Sequence, residues 1–467
     1  MRSPTPFLKS AVVLLLLGCS WSPASAQILF LQQSPPDEPP EQPPTIFPHS
    51  LTAAWWVSAQ INIVFQGHPS FHALYSGPNS LRAEGQTATS YVVTLYTAYA
   101  FNPSTEALFD VESASGHGIS NALGLAGFTN LDVVRSPELG VTPYIARAEI
   151  HKVFALGADE EDQQRNPTNS ILSRMPVRRV ELRAGKMSLA DFFDVNPVGS
   201  DSHLQFLNWT ADNNGSYDYA ADTRGYTFAV IVEYEDRDWG IRFAEGLMPK
   251  VANGPDLDFN LARARSENVE VEWRPSFVKD RRTVLLFLNY VNHANMGSYD
   301  EAVRAFLDGV TPRPEIAATR RQGRIKYGFG FNFEHELTKT LRACGRVGWN
   351  EGHNESFAYT EVNQSYQLCG DWRPERWGRR WDRLGLTFMS NAISRAHQNY
   401  LALGGLGFLL GDGRLTYGRE NILEGYYTAH IWRGVYFSPN LQYIVNPGYN
   451  QDRGPVIVGG IRLHLEF

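Results

Sequence analysis

No stretch of this 467-residue chain is long and apolar enough to cross a bilayer as a helix. The longest unbroken apolar run, Ala11–Leu17, falls far short of the roughly 20 residues required. A helical membrane protein is thereby excluded. Cysteine is scarce, with three residues, and the 12 histidines are scattered, with no HExxH pair and no Cys/His cluster at ligand spacing, so no metal centre is expected. There is no Gly-x-Ser-x-Gly elbow, and GGLGFLLGDG (404–413) lacks the spacing and the βαβ setting of a phosphate loop. Neither catalytic residues nor a cofactor are therefore expected. Lys and Arg (42) are outnumbered by Asp and Glu (49), giving a formal charge of -7, and no basic cluster suits nucleic acid as a partner.

What the chain does have is an alternation of period two. It closes on Ile461-Arg462-Leu463-His464-Leu465-Glu466-Phe467, which puts Ile461, Leu463, Leu465 and Phe467 on one face of a strand and the three polar residues on the other. In a membrane barrel the first face meets lipid and the second meets water. The opposite assignment would set Arg462 against hydrocarbon, at roughly 2 to 4 kcal/mol near the midplane. At the other end Arg2, Lys9, the run Ala11–Leu17 and the small-residue site Ala24-Ser25-Ala26 read as a secretory leader over residues 1–26, with Gln27 starting the mature chain. A lipoprotein site at Leu16-Leu17-Gly18-Cys19 is the weaker rival, because Leu17 is bulky. Residues 27–50 are dense in Pro and form a PPII-like periplasmic linker, leaving 51–467 for the barrel.

The same logic recurs along the chain. Trp55, Val57, Ala59, Ile61, Ile63 and Phe65 oppose Trp56, Ser58, Gln60, Asn62 and Gln66. Later segments put charge on the polar face. Tyr144, Ala146, Ala148 and Ile150 oppose Arg147, Glu149 and His151; Val180, Leu182 and Ala184 oppose Arg179, Glu181 and Arg183; Tyr226, Phe228, Val230, Val232 and Tyr234 oppose Glu233 and Glu235. A single such face is an ordinary solvated surface. So many bulky apolar faces in series require a continuous apolar medium, which lipid supplies. With 26 Phe, 21 Tyr and 11 Trp and a mean hydropathy of -0.30, the composition fits polar lumen residues offsetting lipid-facing ones. The expected fold is all-β: a transmembrane antiparallel barrel of about 16 strands, 16 to 18 at about 10 residues each plus loops. One short helix is inserted, at Tyr299–Leu307. Outside the leader, Cys344 and Cys369 share lumen-facing parity on neighbouring strands, so either a cross-strand disulfide or two free thiols is open.

Several blocks carry more than a barrel pattern. GKMSLADFFDVN (185–196), DYAADTRGYTFAVIVEY (218–234), Arg342 to Asn350 with Ala358 to Val362, and Asp382-Arg383-Leu384-Gly385 after WRPERWGRRW (372–381) occur in order. GDGRLTYGRENILEGYY (411–427) and SPNLQYIVNPGYNQDRGPVIVGGIRLHLEF (438–467) follow them. Together they resemble the carbohydrate-selective porin family of bacterial outer membranes, over roughly residues 51–467. A Gly-Asp-Trp-Gly-Gly type of opening, found in many members, is missing.

The resemblance implies a non-enzymatic pore in the outer membrane, through which neutral mono- and small oligosaccharides diffuse passively. Sugar hydroxyls both donate and accept hydrogen bonds, so paired charges can replace their hydration, and aromatic rings can stack on pyranose faces. Opposite signs cluster at Glu112, Arg147, Glu149, Glu181 and Arg183, which become the candidate pore-lining groups, with bracing of the wall as the alternative role. Trp209 is a candidate stacking ring on an inward loop, or else an interfacial residue. Other expected partners are outer-membrane lipid, the barrel-assembly machinery acting on the Phe467 terminus, and further copies of the chain as a homo-oligomer. An outer-membrane barrel hydrolase and a secreted soluble all-β sugar-binding protein are the competing readings. The first needs a reactive constellation at the rim, and the second leaves the apolar outer faces unexplained.

Overall fold

The computed structural model describes residues 45–50, 52–133, 139–163 and 165–467. The leader assigned to 1–26 and the Pro-rich stretch up to 44 lie outside the described residues.

Among the described residues eighteen strands follow one another: β1 Trp55–His68, β2 Gln86–Asn102, β3 Thr105–Gly116, β4 Tyr144–Ala155, β5 Glu160–Asp162, β6 Arg174–Pro176, β7 Arg179–Met187, β8 Thr227–Glu235 and β9 Trp239–Gly246. Then come β10 Arg265–Trp273, β11 Thr283–Met296, β12 Arg321–Glu336, β13 Leu341–Asn350, β14 Gln364–Trp372, β15 Arg383–Ala392, β16 Glu420–Trp432, β17 Val435–Val445 and β18 Val456–Glu466. Strands β5 and β6 pair only with each other; the other sixteen close a barrel in which every neighbour is antiparallel. The seam joins the two chain ends, with Asn62 opposite His464 and Phe65 opposite Ile461. Closure leaves no edge strand with unpaired backbone in the membrane.

The parity read from the alternation holds at the seam. Ile461 and Leu463 are exposed on the outside, while Arg462 and His464 are buried inside. At Tyr144 it fails. The register between β3 and β4 slips between Asp110, which faces Arg147, and Val111, which faces Ile145. This bulge turns Ile145 outward and Tyr144 inward, correcting the expected outward Tyr144. Tyr226 is also inward: it precedes the start of β8 and follows Gly225, whose φ of +93° belongs to the glycine-favoured region.

One end of the barrel carries tight turns such as Pro103-Ser104, 236–238 and Arg433-Gly434, and the other carries long connections, including 188–226 and 393–419. Short turns mark the periplasmic end of such barrels. The helix at Tyr299–Leu307 forms as expected, capped by Ser298, whose side chain accepts from the Glu301 N–H. Two further helices, Trp209–Asp212 and Arg395–Ala402, lie in the long connections. At the periplasmic end, the last residues of the Pro-rich stretch lie on the seam, where the Ile46 N–H donates to the Glu466 carbonyl at 2.9 Å and the Phe47 and Phe467 rings stand 6.3 Å apart.

Candidate channel constriction

The polar residues that alternation aims inward hold a long loop, 188–226, inside the barrel. Arg346 of β13 donates to the Ala211 carbonyl at 2.7 Å and to Ser200 Oγ at 2.7 Å, and pairs with Asp194 at 2.9 Å. Glu424 of β16 accepts the Leu207 N–H at 2.7 Å and the Asn208 N–H at 3.2 Å. Arg462 of β18 donates to the carbonyls of Ser202 and Gln205 at 2.6 and 2.9 Å. These contacts satisfy loop carbonyls and N–H groups that water cannot reach. Gly330 and Gly348 complete the seat, since a Cβ on Gly348 would overlap Asn214 Oδ1 and Ser216 Oγ. The loop therefore rests on the wall from β10 to β18.

A second inward segment packs onto the first. Glu420 accepts the Ala126 and Gly127 N–H groups at 3.1 and 2.7 Å. Gln66 Nε2 donates to the Thr129 carbonyl at 2.8 Å. Trp209 lies between the two segments. Its ring stacks on Tyr359 at 5.6 Å, meets Phe128 edge-on at 5.8 Å, and its indole N–H donates to the Asn130 carbonyl at 2.8 Å. It is thus a buried loop residue, away from the lipid interface.

Four of the charged candidates come together on β4 and β7. Arg183 pairs with Glu149 at 3.0 Å, Arg147 with Asp110 at 2.7 Å, and Glu181 with His151 at 2.7 Å, while His151 also meets Glu106 at 2.7 Å. All are buried, because the periplasmic connection 156–178 bends into the lumen and covers them. Arg147 donates to the Thr168 and Pro167 carbonyls at 2.5 and 3.1 Å, Arg183 to the Asn169 carbonyl at 3.0 Å, and Ser170 to Glu106 at 2.6 Å.

Glu112 stands apart from them. On β3 it lies between loop 188–226 and the wall of β2 to β4, in contact with both. Its carboxylate accepts the hydroxyls of Tyr144, of Tyr226 at 3.2 Å, and of Thr94 at 3.0 Å. The Tyr144 and Tyr226 rings are 6.2 Å apart, and Arg224 lies 4.4 Å over the Tyr144 ring. Asp191 keeps an accessible side chain on the loop, but the protein packed around it raises its carboxyl to about 6, with Arg147 opposing the rise and Glu112 adding to it. His203 Nδ1 is 3.1 Å from Gln60 Oε1, and its Nε2 is 3.5 Å from Asp132. Burial works against its charge, yet the Asp132, Asp201 and Glu112 carboxylates raise it to about 9. Half-buried Tyr144, Arg224 and Tyr226 with exposed Asp191 thus gather a collar of rings and opposed charges beside Glu112. Tyr144, His203, Arg224 and Tyr226 escaped the sequence reading, because a bulge and a folded loop leave no periodic mark.

Cys344 and Cys369 sit directly opposite each other on β13 and β14 and form a disulfide, with Cα atoms 4.9 Å apart.

A closed sixteen-strand barrel with a lipid-compatible exterior and a long loop folded into a polar lumen defines an outer-membrane porin. The family model for carbohydrate-selective porins, the OprB family, matches residues 78–467. The chain belongs to that family and is a carbohydrate-selective outer-membrane porin, not an enzyme. Among solved structures, it is similar to Pseudomonas putida OprB at high pH, with a TM-score of 0.67 and 14% identity over 89% of this chain and 94% of that one. The low-pH form of that protein gives a TM-score of 0.47 at 10% identity, over 89% and 93%. The DcaP channel of Acinetobacter baumannii gives 0.47 at 7% identity, over 88% and 97%. No curated protein sequence matches the chain.

Proposed function

We propose that neutral mono- and small oligosaccharides cross by passive diffusion through the gap between loop 188–226 and the β2 to β4 wall, touching Glu112, Tyr144, Asp191, Arg224 and Tyr226. The observation that carries this reading is the Glu112 carboxylate gathering two tyrosine hydroxyls beside an exposed aspartate and a guanidinium. Such a collar offers donors and acceptors to sugar hydroxyls and a ring edge to a pyranose face. With both charge signs at the narrowing, neither a cation nor an anion gains a deep well, and a neutral solute exchanges its hydration for weak contacts. Arg147, Glu149, Glu181 and Arg183, buried under the 165–171 bend, act in this reading as positioning residues that hold wall and bend together. Trp209, stacked on Tyr359, edge-on to Phe128 and bonded through its indole N–H, fixes the loop. The same reading has residues 1–26 direct export, with cleavage after Ala26, and the Phe467-ended strand address the assembly machinery.

Sugar-induced block of single-channel current tests it. Glu112→Gln and Tyr226→Ala should each raise the half-blocking sugar concentration roughly tenfold, equivalent to about 1.4 kcal/mol of lost affinity. Swelling of liposomes by sugars of graded size should persist in both variants. Absence of sugar-dependent swelling by folded wild-type protein would sink the reading, and unchanged block in both variants would remove these residues from it.

A further inference from the structure

The periplasmic rim is electrically lopsided. Four turns that are neighbours around the barrel, 274–282, 337–340, 373–382 and 433–434, hold ten Arg and Lys against three acids. The three turns on the other half, 103–104, 156–178 and 236–238, hold four against six. This basic half belongs to a chain whose formal charge is -7. Lys279, Arg281, Arg282, Arg376, Arg380 and Arg433 make no ion pair among the described residues, so their charge is available to something outside the fold.

Exposed apolar groups stand in these turns or at the strand end beside them. Phe277 is 63% exposed, Trp377 62% and Trp432 57%. Two of these rings pack against the last residues of the strands before their turns, with Phe277 edge-on to Trp273 of β10 at 5.8 Å and Trp377 edge-on to Trp372 of β14 at 4.9 Å. Trp372 in turn sits in a lipid-facing row between Leu341 and Leu384. Arg380 lies 5.0 Å over the Trp381 ring. Aromatic rings continuous with a lipid-facing wall, with unpaired guanidinium groups beside them, fit the boundary where acyl chains meet headgroups.

From this we infer that the rim from β10 to β17 binds anionic phospholipid headgroups of the periplasmic leaflet. The phosphodiester and its net negative charge would meet the unpaired Arg and Lys, while Phe277, Trp377 and Trp432 lie among the upper acyl carbons. A glycan strand of the cell wall also carries carboxylates. It would leave those rings in water, which is why lipid is the occupant the rim fits.

The test uses the full barrel reconstituted in phosphatidylethanolamine vesicles, with spin-labelled phosphatidylglycerol or spin-labelled phosphatidylethanolamine as probe. At low salt the phosphatidylglycerol label should associate about threefold more strongly, and the preference should shrink as added salt screens exposed charges. The combined variant Arg281→Gln, Arg376→Gln, Arg380→Gln should bring the ratio close to one, while Arg237→Gln on the acidic half should leave it unchanged. Heat-modifiable migration on a gel establishes that each variant is folded. A wild-type ratio of one, or a preference untouched by the combined variant, overturns the inference. So does cosedimentation with purified cell-wall sacculi that the combined variant abolishes while lipid preference stays constant.

Discussion

Arg346→Ala is the perturbation that most directly tests whether loop 188–226 is held by the wall. The guanidinium is fully buried and pairs with Asp194 at 2.9 Å. It also donates to the carbonyls of Ala211 and Asp194 at 2.7 and 3.0 Å and to Ser200 Oγ at 2.7 Å, so three points of the loop meet at one side chain. Burial already pushes the Asp194 carboxyl up, with Arg346 opposing it, so removing Arg346 leaves a buried acid with no cation beside it. Breaking a buried pair from one side costs roughly 3 to 5 kcal/mol. At about 1.4 kcal/mol per tenfold, the undocked loop should become roughly a hundred to a few thousand times more populated. Because Glu424 and Arg462 still hold the loop, the barrel itself should assemble. Single-channel recording should then show frequent excursions to a higher conductance, and sugar block should weaken with them. Adding Asp194→Asn removes the orphaned charge and should restore part of the quiet baseline. A quiet trace with normal block from Arg346→Ala refutes the reasoning, as does a double variant noisier than the single one.

His203 predicts a pH dependence. Its ordinary value of 6.5 is raised to about 9 in the fold. The stabilisation is therefore complete below about pH 6.5 and is lost as pH climbs through about 9, up to roughly 3 kcal/mol at 1.36 kcal/mol per unit. Neutralising His203 removes one of the two cations beside Asp132 and Asp201, leaving Arg462 alone with them, so reversal potentials in a salt gradient should move toward cation selectivity between pH 7 and 10. The profile should be flat in His203→Gln, and an identical shift in that variant would dismiss the assignment. The Cys344–Cys369 disulfide crosses strands already joined by backbone hydrogen bonds. Cys344→Ser with Cys369→Ser should therefore lower the temperature of the heat-modifiable transition with sugar block unchanged, the loss being at most about 2 to 4 kcal/mol. A change in block would show instead that the bridge shapes the lumen.

The wall of this protein was legible in its sequence. Ile461 to Phe467, Trp55 to Gln66 and the charged strands around Arg183 each announce a lipid face and a wet face, because the two environments act on adjacent residues and a strand alternates them. The Ser298-capped helix was visible for the same local reason. The lumen was not. That Asp194 would meet Arg346, that Leu207 would hang from Glu424, and that the bend at 165–171 would close over Arg147 and Arg183 are contacts between residues brought together only by barrel closure. The bulge that turns Tyr144 toward Glu112 shifts parity by one residue and leaves no trace in composition. Local alternation thus determined the membrane barrel and, away from the bulge at Tyr144 and the loop end at Tyr226, which side chains point inward. The tertiary structure alone decided which of those side chains stay open to a passing solute, because that depends on what the long loops bring to face them.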